Sequence, residues 1–346
     1  MTLKNIISSI LLATFVALIA GCGAPKPILR VYTWSDYMDP ELIKEFEQEF
    51  GCKVIVDDFD SNEMMYAKVK AGGTGYDIIH PSSYMVKIMR DQGMLRKLDL
   101  SQIPNAQLID KDYLEQFSID KKMEYSIPFM LGYACIAYNK AKLGEMPPTW
   151  AVYDDQKLRN RTTLLNDMRE TIGAALKYKG YSLNTTSEKE LEEAKEVLMR
   201  WKENVARFEN EAYKGGIASG EYHLVLGYKG DLYQAIEENP DIEIIIPKEG
   251  TSVSCDDWVI PVGANNLELA NEFINFMLEP ENNAQNMMFN MYNAPMQKAF
   301  EYLPEDLRNM PSFIVPKEIM DKSEMIMDLG ADNVKYIKIW DDIKKD

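Results

Sequence analysis

The sequence predicts an α/β protein of two lobes, with parallel-dominated sheets, helices on both sheet faces and a ligand cleft between the lobes. Three observations lead there. Short strand-like runs alternate with helix-length segments along most of the chain, the rhythm of parallel strands joined by crossover helices. About 325 residues follow a removable leader, more than one hydrophobic core ordinarily organises. No internal repeat, low-complexity tract or disordered linker separates the halves, so the crossings themselves read as strands and a cleft opens where the lobes meet.

The first block reads strand, helix, strand, helix, strand, helix. Leu29 to Thr33, Lys53 to Asp58 and Asp77 to His80 are strands. Pro40 to Phe50, Glu63 to Ala71 and Tyr84 to Gln92 are the intervening helices. A second block follows Ile127-Pro128-Phe129-Met130-Leu131-Gly132. Tyr133 to Asn139 is an apolar strand leaving the first lobe, and Thr162 to Leu165 is a strand feeding a helix from Met168 to Tyr178. Ser187 opens a long helix whose acids, Glu188 to Glu196, give way to Lys202 and Arg207, an order that suits the helix dipole and a solvated face. His223 to Leu226 and Ile242 to Ile246 add strands. Val259 to Val262 returns to the first lobe and Asn266 to Leu278 is its last helix.

The N-terminus sets the compartment. Lys4 precedes an apolar stretch, Ile6 to Ile19, that is short for a membrane span, and Ile19-Ala20-Gly21-Cys22 has the form of a lipobox. Cleavage before Cys22 leaves a thiol to carry lipid; the competing reading is an ordinary signal peptide with an incidental cysteine. The expected location is therefore the periplasm or the outer face of the cytoplasmic membrane, with the body tethered by its first residue.

The net charge of −17 argues against nucleic acid and for cations. Besides Cys22 there are Cys52, Cys135 and Cys255, too widely and irregularly spaced for a metal set or a disulfide framework. Buried free thiols are expected.

Candidate chemistry collects at strand ends. Trp34-Ser35-Asp36-Tyr37 puts an indole, a hydroxyl, a carboxylate and a phenol together. An organic cation needs an anion, acceptors and flat aromatic faces; the plainer reading is two core aromatics and an Asp36 that caps a helix near Pro40. Asp167 and Glu170 share a face where a strand turns into a helix, although acids there also serve the dipole. Ser82, Tyr84, Tyr228 and Asp256 occupy comparable ends, and Asp256 could equally be a surface turn residue.

From Leu29 onward the chain resembles the substrate-binding lipoproteins of bacterial polyamine ABC importers, the spermidine and putrescine binding family. The resemblance is carried by Tyr32 to Tyr37, Ser61 to Lys68, Tyr76 to Tyr84, Tyr125 to Gly132 and Pro247-Lys248-Glu249-Gly250. It implies the two-lobed type II periplasmic binding protein fold. The expected division is a lipoprotein signal peptide over 1–21, a tether over 22–28, lobe 1 from 29–132 and again from 255–297, and lobe 2 from 133–254 with C-terminal helices over 298–346. The resemblance implies ligand contacts from Trp34, Ser35, Asp36, Tyr37, Ser82 and Tyr84 on one side. Asp167, Glu170, Tyr228, Ser254, Asp256 and Tyr292 complete the set. Within it Asp256 grips an amine in mid-cleft, Asp167 and Glu170 hold a terminal amine, and aromatic rings box the methylenes.

The chain departs from the pattern at three points. Tyr228 and Ser254 stand where the best-known spermidine binders carry tryptophan, and near Ile326 a glutamine is missing. Losing one aromatic wall at Ser254 removes roughly 0.5 to 2 kcal/mol of cation–π contact. The expected partners are a polyamine and a membrane permease, with no cofactor and no metal, and a monomer is expected. Alternatives are the same fold with another small ligand, a non-transport sensor, and an enzyme. Catalysis is disfavoured because Asp167 and Glu170 approach from one side, whereas glycoside hydrolysis needs flanking carboxyl groups. His80 and His223 also lack any triad-like or metal-like setting.

Overall fold

The computed structural model describes residues 26–345 apart from 60, 73, 74, 311 and 312. The leader over 1–21 and the lipidation expected at Cys22 lie outside the described residues, as does most of the tether.

In the first lobe β1 (Ile28–Trp34) lies between β2 (Lys53–Phe59) and β3 (Ile78–Ile79), and both pairings are parallel. Helices α1 (Pro40–Glu49), α2 (Asn62–Lys70) and α3 (Ser83–Asp91) connect and follow these strands. The core joins Leu29, Val31, Leu42, Phe46 and Ile78 to Trp258, Phe273, Ile274 and Met287 from far along the chain. The last three belong to helices α8 (Leu267–Met277) and α9 (Pro280–Asn290).

The second lobe holds β4 (Ile127–Asn139), β5 (Thr162–Leu164), α4 (Met168–Tyr178), α5 (Glu188–Lys202), β6 (Val205–Phe208), α6 (Ala212–Ser219), β7 (Leu224–Tyr228), α7 (Lys229–Glu238), β8 (Ile242–Ile245), β9 (Ser252–Trp258), β10 (Glu324–Met325) and α10 (Asn333–Lys344). The sheet runs β10-β9-β4-β7-β5-β6, and β8 also pairs β4. Every antiparallel pair involves β4, with β7, β8 or β9; the other ladders are parallel. Its core packs Ile136, Tyr138, Leu164, Ile172, Leu198, Trp201 and Leu226 against Tyr336 and Ile343. Among the described residues no helix is long and apolar enough to cross a membrane. Cys52, Cys135 and Cys255 are buried free thiols, as expected.

The crossing differs from the sequence expectation. All thirteen residues of β4 are buried, and the strand begins at Ile127 rather than Tyr133. Its ladder with β9 shifts register between Pro128 and Met130, so the proline sits at the irregularity, where no ladder hydrogen bond is required of it. The return strand is Ser252–Trp258, not Val259 to Val262; beyond Trp258 only isolated bridges remain, Ile79 to Val259 and Leu95 to Pro261. The Ser-Cys-Asp-Asp run has poor strand propensity, and its pairing with β4 overrides that. The tail is divided too: Ala299, Leu303 and Phe313 belong to the first core, while Tyr336, Ile339 and Ile343 belong to the second, so 298–346 is not wholly a lobe 2 segment.

Candidate ligand-binding site

β1 delivers its last residue, Trp34, to the rim of a cleft of about 910 Å3 between the lobes. All twelve expected contacts line this cleft: Trp34, Ser35, Asp36, Tyr37, Ser82, Tyr84, Asp167, Glu170, Tyr228, Ser254, Asp256 and Tyr292. The cap of α1 is Asp39, which accepts the Glu41 N–H at 2.9 Å, so the capping reading of Asp36 falls to another residue. Asp36 itself is exposed and has φ 51°, a left-handed conformation that aspartate tolerates better than most side chains.

Asp256 is the centre of the site. The Tyr37 hydroxyl donates to Oδ2 at 2.6 Å and the Ser82 hydroxyl to Oδ1 at 2.7 Å. Burial pushes its carboxyl up to about 6, while the Ser82 and Tyr37 hydroxyls, and Trp34 more weakly, pull the other way. The Trp34 Nε1 is buried and meets no acceptor at full hydrogen-bond geometry, so its pull on Asp256 is weak. Ser82 is fixed in turn by Asn62, whose Oδ1 accepts the Ser82 N–H at 3.0 Å. Tyr37 also meets Tyr292, with ring centroids 5.7 Å apart. The Ser35 hydroxyl donates to Asp58 at 3.1 Å and keeps its acceptor lone pairs.

Across the cleft, Asp167 does cap α4: one oxygen accepts the N–H groups of Arg169 at 2.9 Å and Glu170 at 3.0 Å. The dipole role and the cleft position coexist. Glu170 is buried and accepts the Ser252 hydroxyl. Burial, then the nearby Asp167 charge, push its carboxyl up to about 8. Asp167 is also raised, chiefly by burial, against the pull of the two backbone N–H groups. Desolvated carboxyls hold protons readily, and the Arg169 charge offsets this only in part; a cation entering the cleft would release them. Among the described residues no group of three or more His, Cys, Asp or Glu has a metal-holding arrangement. His80 stacks on Phe129 at 5.2 Å and bonds Thr33 through Nδ1 at 2.9 Å, a structural setting.

Residues 41–309 match the family profile of the bacterial extracellular solute-binding proteins. The chain belongs to that family. Among solute-binding proteins it is similar to a putrescine-binding periplasmic protein of Pseudomonas aeruginosa, 32% identical over 363 residues that cover 99% of each chain. A solved spermidine/putrescine ABC transporter substrate-binding protein of Streptococcus pneumoniae has a TM-score of 0.86 and 34% identity, over 92% of this chain and 98% of that one. A lipoprotein of Treponema pallidum has a TM-score of 0.83 and 34% identity, over 91% and 99%. The two-lobed type II fold is thus shared along nearly the full length.

For a solute-binding protein the cleft wall also matters beyond the expected residues. Asp231, in the first turn of α7, lines it and accepts the Tyr213 hydroxyl at 2.6 Å. Burial is the main cause of its raised carboxyl, and Asp36 adds to the rise. Glu63 lines it as well and accepts the Tyr84 hydroxyl at 2.9 Å. Asp231 stands three residues after Tyr228 as an ordinary first-turn acid of α7, and its place on the wall follows from the fold. Ile326, where a glutamine was expected, forms an apolar stretch of wall with Met325 and Met327.

Proposed function

We propose that this chain captures a polyamine, putrescine or spermidine, between its two lobes and delivers it to an ABC permease. The observation that carries this reading is a set of desolvated carboxyls, the half-buried Asp256 and the buried Glu170 foremost, faced by Trp34, Tyr37, Tyr228 and Tyr292. Ammonium groups supply the missing counter-charges and aromatic faces suit the methylenes between them. The names of the relatives from Pseudomonas aeruginosa and Streptococcus pneumoniae support the same ligand class.

In the proposed mechanism an ammonium first meets Asp256, already oriented by Tyr37 and Ser82. Closure brings Asp167 and Glu170 onto a second ammonium. Each charge-assisted hydrogen bond contributes about 1.5 to 3 kcal/mol, and a few of them, less the freedom lost, leave the roughly 8 kcal/mol of micromolar binding. The closed form alone makes all contacts, so ligand shifts the population towards it, and that form docks on the permease. Neither lobe performs catalysis in this reading.

The lobe boundaries near 132 and 254, the twelve contacts and a monomeric state are part of the proposal. So is a lipid on Cys22 that holds the protein at the outer face of the cytoplasmic membrane; the form of residues 19–22 and the kinship with a lipoprotein of Treponema pallidum support it. Titration calorimetry on the lipid-free protein, unfolded and refolded to strip copurified amine, tests the ligand. Saturable one-to-one binding of putrescine or spermidine is expected; no heat with any polyamine would refute it.

A further inference from the structure

The turn that opens α7 carries a glycine where its backbone does not call for one. Gly230 is helical, buried and outside the left-handed region of φ, so alanine would suit the helix better there. What the missing side chain leaves room for is a ring. A Cβ at Gly230 would stand 2.6 Å from both Cδ2 and Cζ of Tyr292, and nearer still to Cε2, far inside ordinary carbon contact. The Tyr292 ring, one of the aromatic walls of the cleft, therefore rests directly on the backbone of α7.

The chain around Tyr292 is pinned on both sides. Its own N–H donates to Asn290 Oδ1 at 2.9 Å. The next residue, Asn293, is held twice: its carbonyl accepts the Leu131 N–H at 2.6 Å, and its side-chain oxygen accepts the buried Lys229 Nζ. Lys229 and Gly230 are consecutive, so one turn of α7 grips Asn293 with a side chain and seats Tyr292 with the lack of one. The seated ring lies 5.7 Å by centroid from Tyr37, whose hydroxyl donates to Asp256 at 2.6 Å. Gly230 does not itself line the cleft, so its influence on a ligand passes through Tyr292.

We infer that Gly230 is a positioning residue for ligand capture: the space left by its missing side chain is the seat of the Tyr292 ring and fixes that wall beside Tyr37. The inference rests on the polyamine reading and adds to it a residue that touches no ligand. With a methyl group at position 230 the ring has to turn off its seat, and the methylenes of a bound amine lose the face they pack on.

Calorimetric titration with putrescine and with spermidine, together with thermal denaturation, of the wild type, Gly230→Ala, Tyr292→Ala and the double variant tests it. Gly230→Ala should lose about tenfold in affinity for whichever amine the wild type binds. In the Tyr292→Ala background the same change should alter affinity less than about twofold. There it should also raise the melting temperature, because alanine then meets no ring and favours the helix. If Gly230→Ala does not fold alone, recovery of folding in the double variant supports the seat. Undiminished affinity in Gly230→Ala, an equal loss in both backgrounds, or a double variant that fails to fold where Tyr292→Ala folds overturns the inference, while wild-type binding leaves the polyamine reading intact. A wild type that binds neither amine overturns both.

Discussion

In the proposed mechanism Asp256 is a single carboxylate kept ready for a cation. Two hydroxyls already orient it, so a ligand ammonium meets an acceptor that does not have to rearrange. Asp256→Asn should weaken polyamine binding at least about tenfold with little change in melting temperature, read by calorimetry and thermal denaturation. Trp34→Ala should do the same through loss of its aromatic face. Titration gives an independent check. With Glu170 at about 8 and Asp256 at about 6 in the empty cleft, both favour the proton below those values. An ammonium ligand favours the ionised forms, so binding at pH 7 should release protons, mostly from Glu170, and affinity should fall as pH drops from 8 to 5. Calorimetry in two buffers of different ionisation enthalpy measures the release; identical heats in both would sink the assignment of Glu170. Much of this was legible at the residue level, because a carboxylate beside aromatics at a strand end has few uses. Asp231 was not, since nothing in its local sequence distinguishes it from an ordinary first-turn acid; only the fold turns it towards Asp36.

At the scale of elements, α9 holds the site together from behind. Asn286 and Asn290, one turn apart and fully buried, donate to the Tyr37 carbonyl at 3.3 and 3.0 Å. Asn286 accepts the Asp39 N–H at 2.9 Å and Asn290 accepts the Tyr292 N–H at 2.9 Å. One helix thus fixes two aromatic walls. Asn290→Ala leaves buried groups unpaired and should cost about 1 to 3 kcal/mol of stability, and polyamine affinity should fall with it; a denaturant midpoint and a titration read both. Local pattern decided what could be foreseen here. The helix from Met168 to Tyr178 was legible to its ends because Asp167 is a strong cap and the apolar spacing is regular. β9 was not, because Ser252 to Asp257 is polar and turn-like and becomes a strand only beside β4. α9, with four asparagines in eleven residues, also gave no clear helical stripe, since those amides face inward to serve other segments.

For the whole molecule, β4 matters most, since its Ile127 end lies in one core and its Ile136 end in the other. Unfolding either lobe removes part of a strand from its neighbour, so chemical denaturation should follow one cooperative transition by fluorescence and circular dichroism rather than two. Close by, Lys229 is fully buried and donates to the Phe313 carbonyl at 2.9 Å and to Asn293. Burial lowers its ammonium to about 7. Between that value and the ordinary lysine range the unfolded chain binds the proton and the folded chain does not, so this group makes stability rise with pH from about 7 to 10. Lys229→Met should flatten the slope of the melting temperature across that window. The first core has a further property. Leu29, Val31 and Phe46 are closed over by Trp258, Phe273 and Met287, more than two hundred residues later. A chain emerging N-terminus first from a ribosome or a translocation channel therefore has no finished first lobe until most of its length is out. Its leading third has to wait, without a finished core, for the partners that complete it.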